Sequence, residues 1–302
     1  METKSGYVTI IGKPNVGKST LMNALLGEKL SITTNKPQTT RKRILGILSE
    51  ENYQIIFLDT PGILKPDYLL QEKMMDYVHQ SVKDADILLF LLDINDDPLG
   101  KRTLENEIIQ KILSVRNKKK VLVINKIDIS DQKHVQDLMD AVEKTKLFES
   151  IIPMSASENY NVEAVLNYIL ENLPVHPKFF PDNPLSDENE RFFVTEIIRE
   201  KILELYHDEV PYSCEVLIEE FKEREGRKDF ISVAIVAEKE TQKPIIIGKG
   251  GDAIKRLGET SRKAIEEFLQ RPVYLEMRVK VRDKWRSNPN MLKSFGYNAG
   301  EE

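Results

Sequence analysis

The chain is most tightly constrained over residues 7–30, YVTIIGKPNVGKSTLMNALLGEKL, where an apolar run meets a glycine-spaced turn ending in Lys-Ser-Thr, then an amphipathic continuation. Gly12 and Gly17 bracket four residues and precede Lys18 and Ser19, the spacing at which backbone N–H groups wrap phosphate oxygens. Glycine lets the chain approach a bound anion at backbone angles that a Cβ disfavours. Residues 8–11 read as a buried strand, and Leu21, Ala24 and Leu25 recur at helical spacing. The turn therefore joins a strand to a helix whose N-terminus carries partial positive charge toward the anion. The phosphate-binding set is Gly12, Lys13, Pro14, Asn15, Val16, Gly17, Lys18, Ser19 and Thr20, with Lys18 reaching the β- and γ-phosphates and Ser19 holding Mg²⁺.

With 302 residues, 40% of them hydrophobic, the chain can bury two modest cores, so two domains are expected. No apolar window approaches the length that spans a bilayer, and the N-terminus lacks a basic region followed by a long apolar stretch, so a soluble, unsecreted protein is expected. A single cysteine, Cys214, excludes an internal disulfide and a cysteine-based zinc site, as suits a reducing compartment. The net charge of −5 argues against a wholly basic nucleic-acid binder. Residues 239–293 nevertheless carry fourteen Lys or Arg against seven Asp or Glu. That local excess points to an anionic partner for the C-terminal part, a nucleic acid or a membrane surface.

Residues 31–42 are polar and threonine-rich, and they lie between the phosphate turn and a strand ending in Asp59-Thr60-Pro61-Gly62. A nucleotide switch needs a mobile segment here that the γ-phosphate can order. Asp59, at the end of the apolar run 55–58, can contact the metal's water shell, and the Gly62 N–H can bond the γ-phosphate. Further strands are expected at 85–94 and 120–125, and helices at 69–82 and 100–115. This alternation argues for a parallel sheet with helices on both faces and ligands at the C-terminal strand ends. Asn125, Lys126 and Asp128 fall at such an end.

The segments GKPNVGKS at 12–19, DTPG at 59–62, NKID at 125–128 and SAS at 155–157 resemble, in order, the nucleotide motifs of the translation-factor-like GTPases. That resemblance implies GTP and GDP as ligands, with Asn125 reading the guanine ring and Asp128 bonding its N1 and exocyclic amine. A carboxylate accepts both protons, and adenine offers no such donor pair. Ser155 and Ala156 would complete the base pocket. Mg²⁺ would be held by Ser19, Asp59 and a threonine of the mobile loop, Thr40 first and Thr39 next. Lys18, Thr40 and Gly62 would then serve attack of water on the γ-phosphorus. Ile63 stands where Ras-type enzymes carry a water-orienting glutamine. The chain thus resembles GTPases of slow intrinsic turnover that need K⁺, a partner or RNA, and Asn15 matches the residue that helps hold K⁺ in potassium-activated relatives.

Prolines 174, 177, 181 and 184 mark a stiff, extended connection. The expected division is a GTPase domain at 1–175, a linker at 176–190 with a solvated His176, and a second domain at 191–302 ending in a tail. Its pattern is a helix (191–207), strands at 212–221 and 230–237 joined by a charged turn around Gly226, a glycine turn, a helix (252–269) and a strand (273–281). Gly248-Lys249-Gly250-Gly251 fits the GxxG loop of KH domains, and the region resembles an α+β type II KH domain that clamps four nucleotides. Ile247, Gly248, Lys249, Gly250, Gly251, Lys255 and Arg256 form the candidate RNA set, with Arg262 and Lys263 adding charge or simply forming a solvated helix face. A P-loop GTPase domain joined to such a module resembles the Era family of bacterial ribosome-assembly GTPases. The resemblance implies a monomer that binds 16S ribosomal RNA near its 3′ end and assists 30S subunit assembly, in the cytoplasm with peripheral contact at the cell membrane. A membrane-associated switch whose basic C-terminal face meets anionic lipid remains open at this stage. A metabolic P-loop kinase is disfavoured by NKID.

Overall fold

A computed structural model describes residues 2–182 and 184–298, so the last four residues of the expected tail lie outside the described residues. The described residues fall into two compact units, the first holding residues up to Asp67 and Gln71–Asp187, the second Glu188–Asn298 with Tyr68–Leu70.

The first unit is built on strands β1 (Lys4–Gly12), β2 (Ile44–Glu50), β3 (Tyr53–Asp59), β4 (Ile87–Asp93), β5 (Lys119–Asn125) and β6 (Ser150–Pro153). They form a six-stranded sheet in the order β2-β3-β1-β4-β5-β6. Only β2 runs antiparallel to its neighbour. Helices α1 (Lys18–Leu26), α2 (Leu69–Asp84), α3 (Lys101–Leu104), α4 (Glu107–Leu113), α5 (Gln132–Glu143) and α6 (Val162–Asn172) connect them. Residues 87–92 of β4 are buried without alternation, the pattern of a parallel strand covered on both faces. Phe90, Leu92, Leu122 and Ile124 pack with Met75 and Val78 of α2, Ile112 of α4 and Leu138 of α5. Each such side chain stabilises the fold by about 1.5–3 kcal/mol. The register sets Ile10 beside Asp59, Gly12 beside Leu91 and Asp93 beside Asn125. The C-terminal ends of β1, β3, β4 and β5 therefore share one edge.

The helix expected over 100–115 is broken in two. Asn106 stops it by capping α4, its Oδ1 accepting from the N–H groups of Ile108 (3.1 Å) and Ile109 (3.2 Å), the role asparagine takes most readily at a helix start.

The proline-rich segment is not a free connection, because it is hydrogen-bonded along the first unit. The Gln54 side chain accepts from the N–H groups of Phe179 (2.8 Å) and Phe180 (2.9 Å) and donates to the Phe180 carbonyl (2.9 Å). Leu185 accepts from Ile47 N–H at 2.8 Å, and the Ser186 hydroxyl donates to the Leu45 carbonyl at 2.6 Å. The segment thereby covers the free edge of β2, which would otherwise expose unpaired backbone groups. His176 is exposed as expected, with its ring stacked on Phe179 at 4.3 Å.

The second unit contains α7 (Glu190–Leu205), β7 (Cys214–Lys222), β8 (Asp229–Ala237), α8 (Lys243–Ile247), α9 (Asp252–Leu269), β9 (Val273–Val281) and α10 (Pro289–Ser294). Its sheet has the order β7-β8-β9, with β7 antiparallel and β9 parallel to β8. Ile231, Val233 and Ile235 alternate onto one face and pack with Val194, Ile198 and Ile202 of α7 and Leu257 and Ile265 of α9. β7 begins at Cys214 rather than 212, because Pro211 opens a 3₁₀ turn. The tail is folded through Tyr297. Trp285 is fully buried and donates to the Ser213 carbonyl at 2.9 Å, and Tyr297 donates to Glu215 Oε2 at 2.6 Å.

Candidate nucleotide site and nucleic-acid groove

At the shared strand edge of the first unit opens a cleft of about 480 Å³. The phosphate turn leaves β1 at Gly12 and enters α1 at Lys18. Gly17 sits at φ 97°, and a Cβ there would fall 2.2 Å from Asn125 Nδ2, so this position is closed to any side chain. Lys18 is buried, its ammonium donating to the carbonyls of Lys13 (2.9 Å) and Gly12 (3.3 Å). Burial lowers its pKa to about 8, against the opposing pull of the Asp59 charge. A cation held this dry has a strong electrostatic preference for an arriving anion.

Three oxygens meet beside it. Ser19 Oγ donates to Asp59 Oδ2 at 2.6 Å, Thr40 Oγ1 to the same oxygen at 3.4 Å, and the two hydroxyls are 3.0 Å apart. Thr39 also lines the cleft, but its hydroxyl donates to the Lys36 carbonyl and lies 2.7 Å from Thr34 Oγ1 rather than joining Asp59. Burial raises the Asp59 pKa, opposed by the Ser19 hydrogen bond and the Lys18 charge. Asp59 Oδ1 is buried without a hydrogen-bond partner among the described residues. A buried carboxylate oxygen left over beside two hydroxyls is a hard-oxygen set that suits Mg²⁺.

The base end of the cleft is organised by Asn125. Its Nδ2 donates to the Val16 carbonyl (2.8 Å) and its Oδ1 accepts from Ala156 N–H (3.0 Å). Asn125 is thus first a clamp tying the phosphate turn to the 155–157 loop, with one amide hydrogen left over. Asp128 is exposed at the cleft rim. Lys126, in the left-handed region at φ 66°, pairs with Asp93 at the end of β4 at 2.6 Å.

Pro14, Asn15, Gly17, Lys18, Ser19, Thr20, Thr40, Gly62, Asn125, Lys126, Asp128 and Ala156 line the cleft. Gly12, Lys13, Val16, Asp59 and Ser155 do not. Gly12 and Val16 contribute their carbonyls from beneath, Lys13 turns to Asp96 at 3.6 Å, and Ser155 is fully buried under the loop, accepting from Glu158 N–H. Ile32, Thr33, Thr34, Asn35, Gln38, Ile129 and Ser157 also line the cleft, outside the expected set of site residues. Ser157 belongs to the SAS motif and the residues at 32–38 to the threonine-rich segment expected to act as the switch, whereas Ile129, just past NKID, carried no sequence signal. Asn15 Nδ2 donates to the Asn35 carbonyl at 3.0 Å, joining the phosphate turn to the threonine-rich loop. Ile63 is buried in the core with Met75 and Val78. A Cβ at Gly62 would meet Pro14 backbone atoms at 2.7 Å, so the two loops touch through that glycine.

In the second unit the Ile run at 245–247 ends α8, and Gly248 stops it; a Cβ there would strike Ala253 at 2.6 Å. A Cβ at Gly250 or Gly251 would meet nothing within 4 Å, so the backbone there is open to an approaching phosphate. A groove of about 430 Å³ follows between α9 and β9, lined by Ile254, Lys255, Gly258, Glu259, Arg262, Tyr274, Leu275 and Met277, with Lys228. Arg256 is exposed on α9 outside this lining. Arg262 is paired with Glu266 at 2.7 Å.

These two constructions define a P-loop guanine-nucleotide domain followed by a KH domain. Family models agree: one described as a 50S ribosome-binding GTPase matches residues 7–126, and a KH domain model matches residues 209–286. The chain is 47% identical over 294 residues to GTPase Era of Geobacter sp. (strain M21), covering 97% of this chain and 98% of that protein. A crystal structure of an Aquifex aeolicus Era variant bound to GDP·AlF₄⁻ superposes with TM-score 0.93 at 42% identity, covering 98% of this chain and 99% of that one. A second Era structure, in complex with MgGDPNP and nucleotides 1506–1542 of 16S ribosomal RNA, matches with the same score, identity and coverage. The chain belongs to the Era family of GTPases.

Proposed function

We propose that this chain is a GTP-hydrolysing switch whose first unit grips GTP and whose KH module holds single-stranded 16S ribosomal RNA near its 3′ end, in the service of 30S subunit assembly in the cytoplasm. One observation carries the switch: Asp59 gathers Ser19 of the phosphate turn and Thr40 of the threonine-rich loop onto one carboxylate. Ser19, Thr40 and Asp59 would hold Mg²⁺, which when bound supplies charge neutralisation to the phosphates. Lys18 neutralises the β- and γ-phosphates from its dry position, and Gly62 offers its N–H to the γ-phosphate beside Pro14. Asp128 accepts the two guanine protons at the rim, while Asn125 keeps its loop and the phosphate turn in register. Ile63 is committed to the core, so no side chain from that position orients the attacking water. An apolar residue at that position supports slow intrinsic turnover, and stimulation by K⁺ or RNA is what the family resemblance at Asn15 and Ile63 implies.

RNA binding rests on the open glycine loop and the basic groove, together with the complex formed by the relative. The test is retention of an RNA of nucleotides 1506–1542 with a non-hydrolysable GTP analogue, with GDP, and with neither. Tighter retention with the analogue is expected; equal retention in all three would sink the switch. Liposome binding that survives RNase, without preference for single-stranded RNA, would instead favour a lipid-facing role. Equal hydrolysis rates in K⁺ and Na⁺ would dispose of potassium activation.

A further inference from the structure

The charged turn between β7 and β8 and the start of β9 carry a feature that a four-nucleotide clamp does not use. Tyr274 is 57% exposed, although it opens a strand whose next core-facing residues, Leu275 and Met277, pack against the domain interior. One face of its ring lies on Phe230, with centroids 5.8 Å apart and planes 13° from parallel. The Arg224 guanidinium covers that Phe230 ring at 4.9 Å. The register explains the pairing, since Phe230 and Tyr274 are direct neighbours on adjacent parallel strands. Arg224 is held in turn by its N–H, which donates to Asp229 Oδ1 at 3.0 Å, and Asp229 is itself pinned by Arg271. Phe230 thus holds both the Arg224 guanidinium and the Tyr274 ring, and Tyr274 keeps more than half of its surface exposed.

From this we infer that Tyr274 is a stacking platform for one unpaired nucleobase lying beyond the clamped tetranucleotide, an inference that rests on the RNA-binding reading of the groove. Tyr274 and Lys228 line the same groove as Lys255 and Arg262, so the platform continues that surface. It lies at the end away from the glycine loop. Asp252 begins α9, and Arg262 stands ten residues further, roughly 15 Å along the helix axis. Residues 222–229 carry Lys222, Arg224, Arg227 and Lys228 against Glu223, Glu225 and Asp229, a slight positive excess compatible with a nucleic-acid occupant. Stacking on an aromatic face is tolerant of base identity and suits a strand leaving a clamp. Contact with Phe230, its direct neighbour across the strands, holds the Tyr274 ring in place.

An abasic scan of the 1506–1542 RNA, read by binding to wild-type and Tyr274→Leu protein, separates the possibilities. Tyr274→Leu keeps bulk and strand but removes the ring; it should weaken the intact RNA roughly tenfold, at the low end of what one base–aromatic stack contributes. At one position next to the clamped stretch, an abasic site should weaken wild type by the same factor and leave Tyr274→Leu unaffected. Tyr274→Phe should restore both effects, and 2-aminopurine at that position should be quenched by wild type and by Tyr274→Phe only. Equal loss for both proteins at every abasic position, with RNA still bound, would overturn the platform and leave the groove standing. Absence of RNA binding by wild type would overturn the groove reading and the platform with it.

Discussion

The two ligand surfaces of this GTPase are built on opposite principles. At the nucleotide site, Lys18, Thr40, Asp59 and Asn125 are all buried and bond one another or the backbone of the next loop. At the KH groove, Lys255 and Tyr274 are exposed, and the glycine loop borders open space. A buried polar network is preorganised and unforgiving, because any truncated member leaves a partner desolvated and unpaired. An exposed groove works through screened charge, apolar contact and backbone access, so each residue contributes a graded share. The same chain thus separates an all-or-none recognition event from a tunable one.

Four measurements can break or sharpen that contrast. The largest effect is expected from Lys18→Ala, which removes the dry cation facing the phosphates. GTP affinity in a fluorescent-nucleotide titration should fall by about 2–5 kcal/mol, roughly 30-fold to several-thousand-fold; a loss under threefold would place Lys18 outside the phosphate contacts. Next, Asp128→Ala strands two guanine donors and should cost about 1–3 kcal/mol, with inosine triphosphate, which lacks the exocyclic amine, losing less. Competition binding with the two nucleotides decides this, and equal losses would count against Asp128 reading the amine. Smaller is the effect of Lys255→Ala on RNA: affinity falls modestly at every sequence, and the slope of log K against log salt drops by about 0.7. An unchanged slope would remove Lys255 from the phosphate contacts.

The smallest signal concerns protons. The pKa of Lys18 lies near 8 because burial disfavours its charged form, so nucleotide-stripped protein at pH 8 holds this proton about half the time. Phosphate charge restores the protonated form, and GTP binding there should take up on the order of half a proton. Uptake fades below pH 7, where the group is already charged. Calorimetry in two buffers of different ionisation heat reports it, and Lys18→Arg should abolish it because guanidinium stays charged throughout. Uptake unchanged in Lys18→Arg would assign the proton to another group.

Much of the architecture was legible because its signals are local. The glycine spacing of 12–19, the uninterrupted apolar strand 87–92 and the GKGG turn each express a constraint that neighbouring residues impose on one another. Less legible were residues whose roles depend on distant partners. Asn125 looked like a base reader and proved also to be a clamp between the Val16 carbonyl and Ala156 N–H. Ser155 shares a motif with Ser157, yet only Ser157 reaches the cleft. The proline-rich segment read as a stiff, extended connection because composition reports stiffness and not what Gln54 will bond across 125 residues of chain.

Residue order alone determined that a phosphate turn sits between strand and helix, that guanine-type motifs follow in sequence, and that a glycine loop opens a basic helix. Short-range sterics and side-chain periodicity suffice for such features. Tertiary structure decided which threonine joins Ser19 on Asp59, which carbonyls hold Lys18, and that Phe230 meets both Tyr274 and Arg224. Those outcomes depend on strand register and burial, and both are set only when segments far apart in the chain compete for the same space.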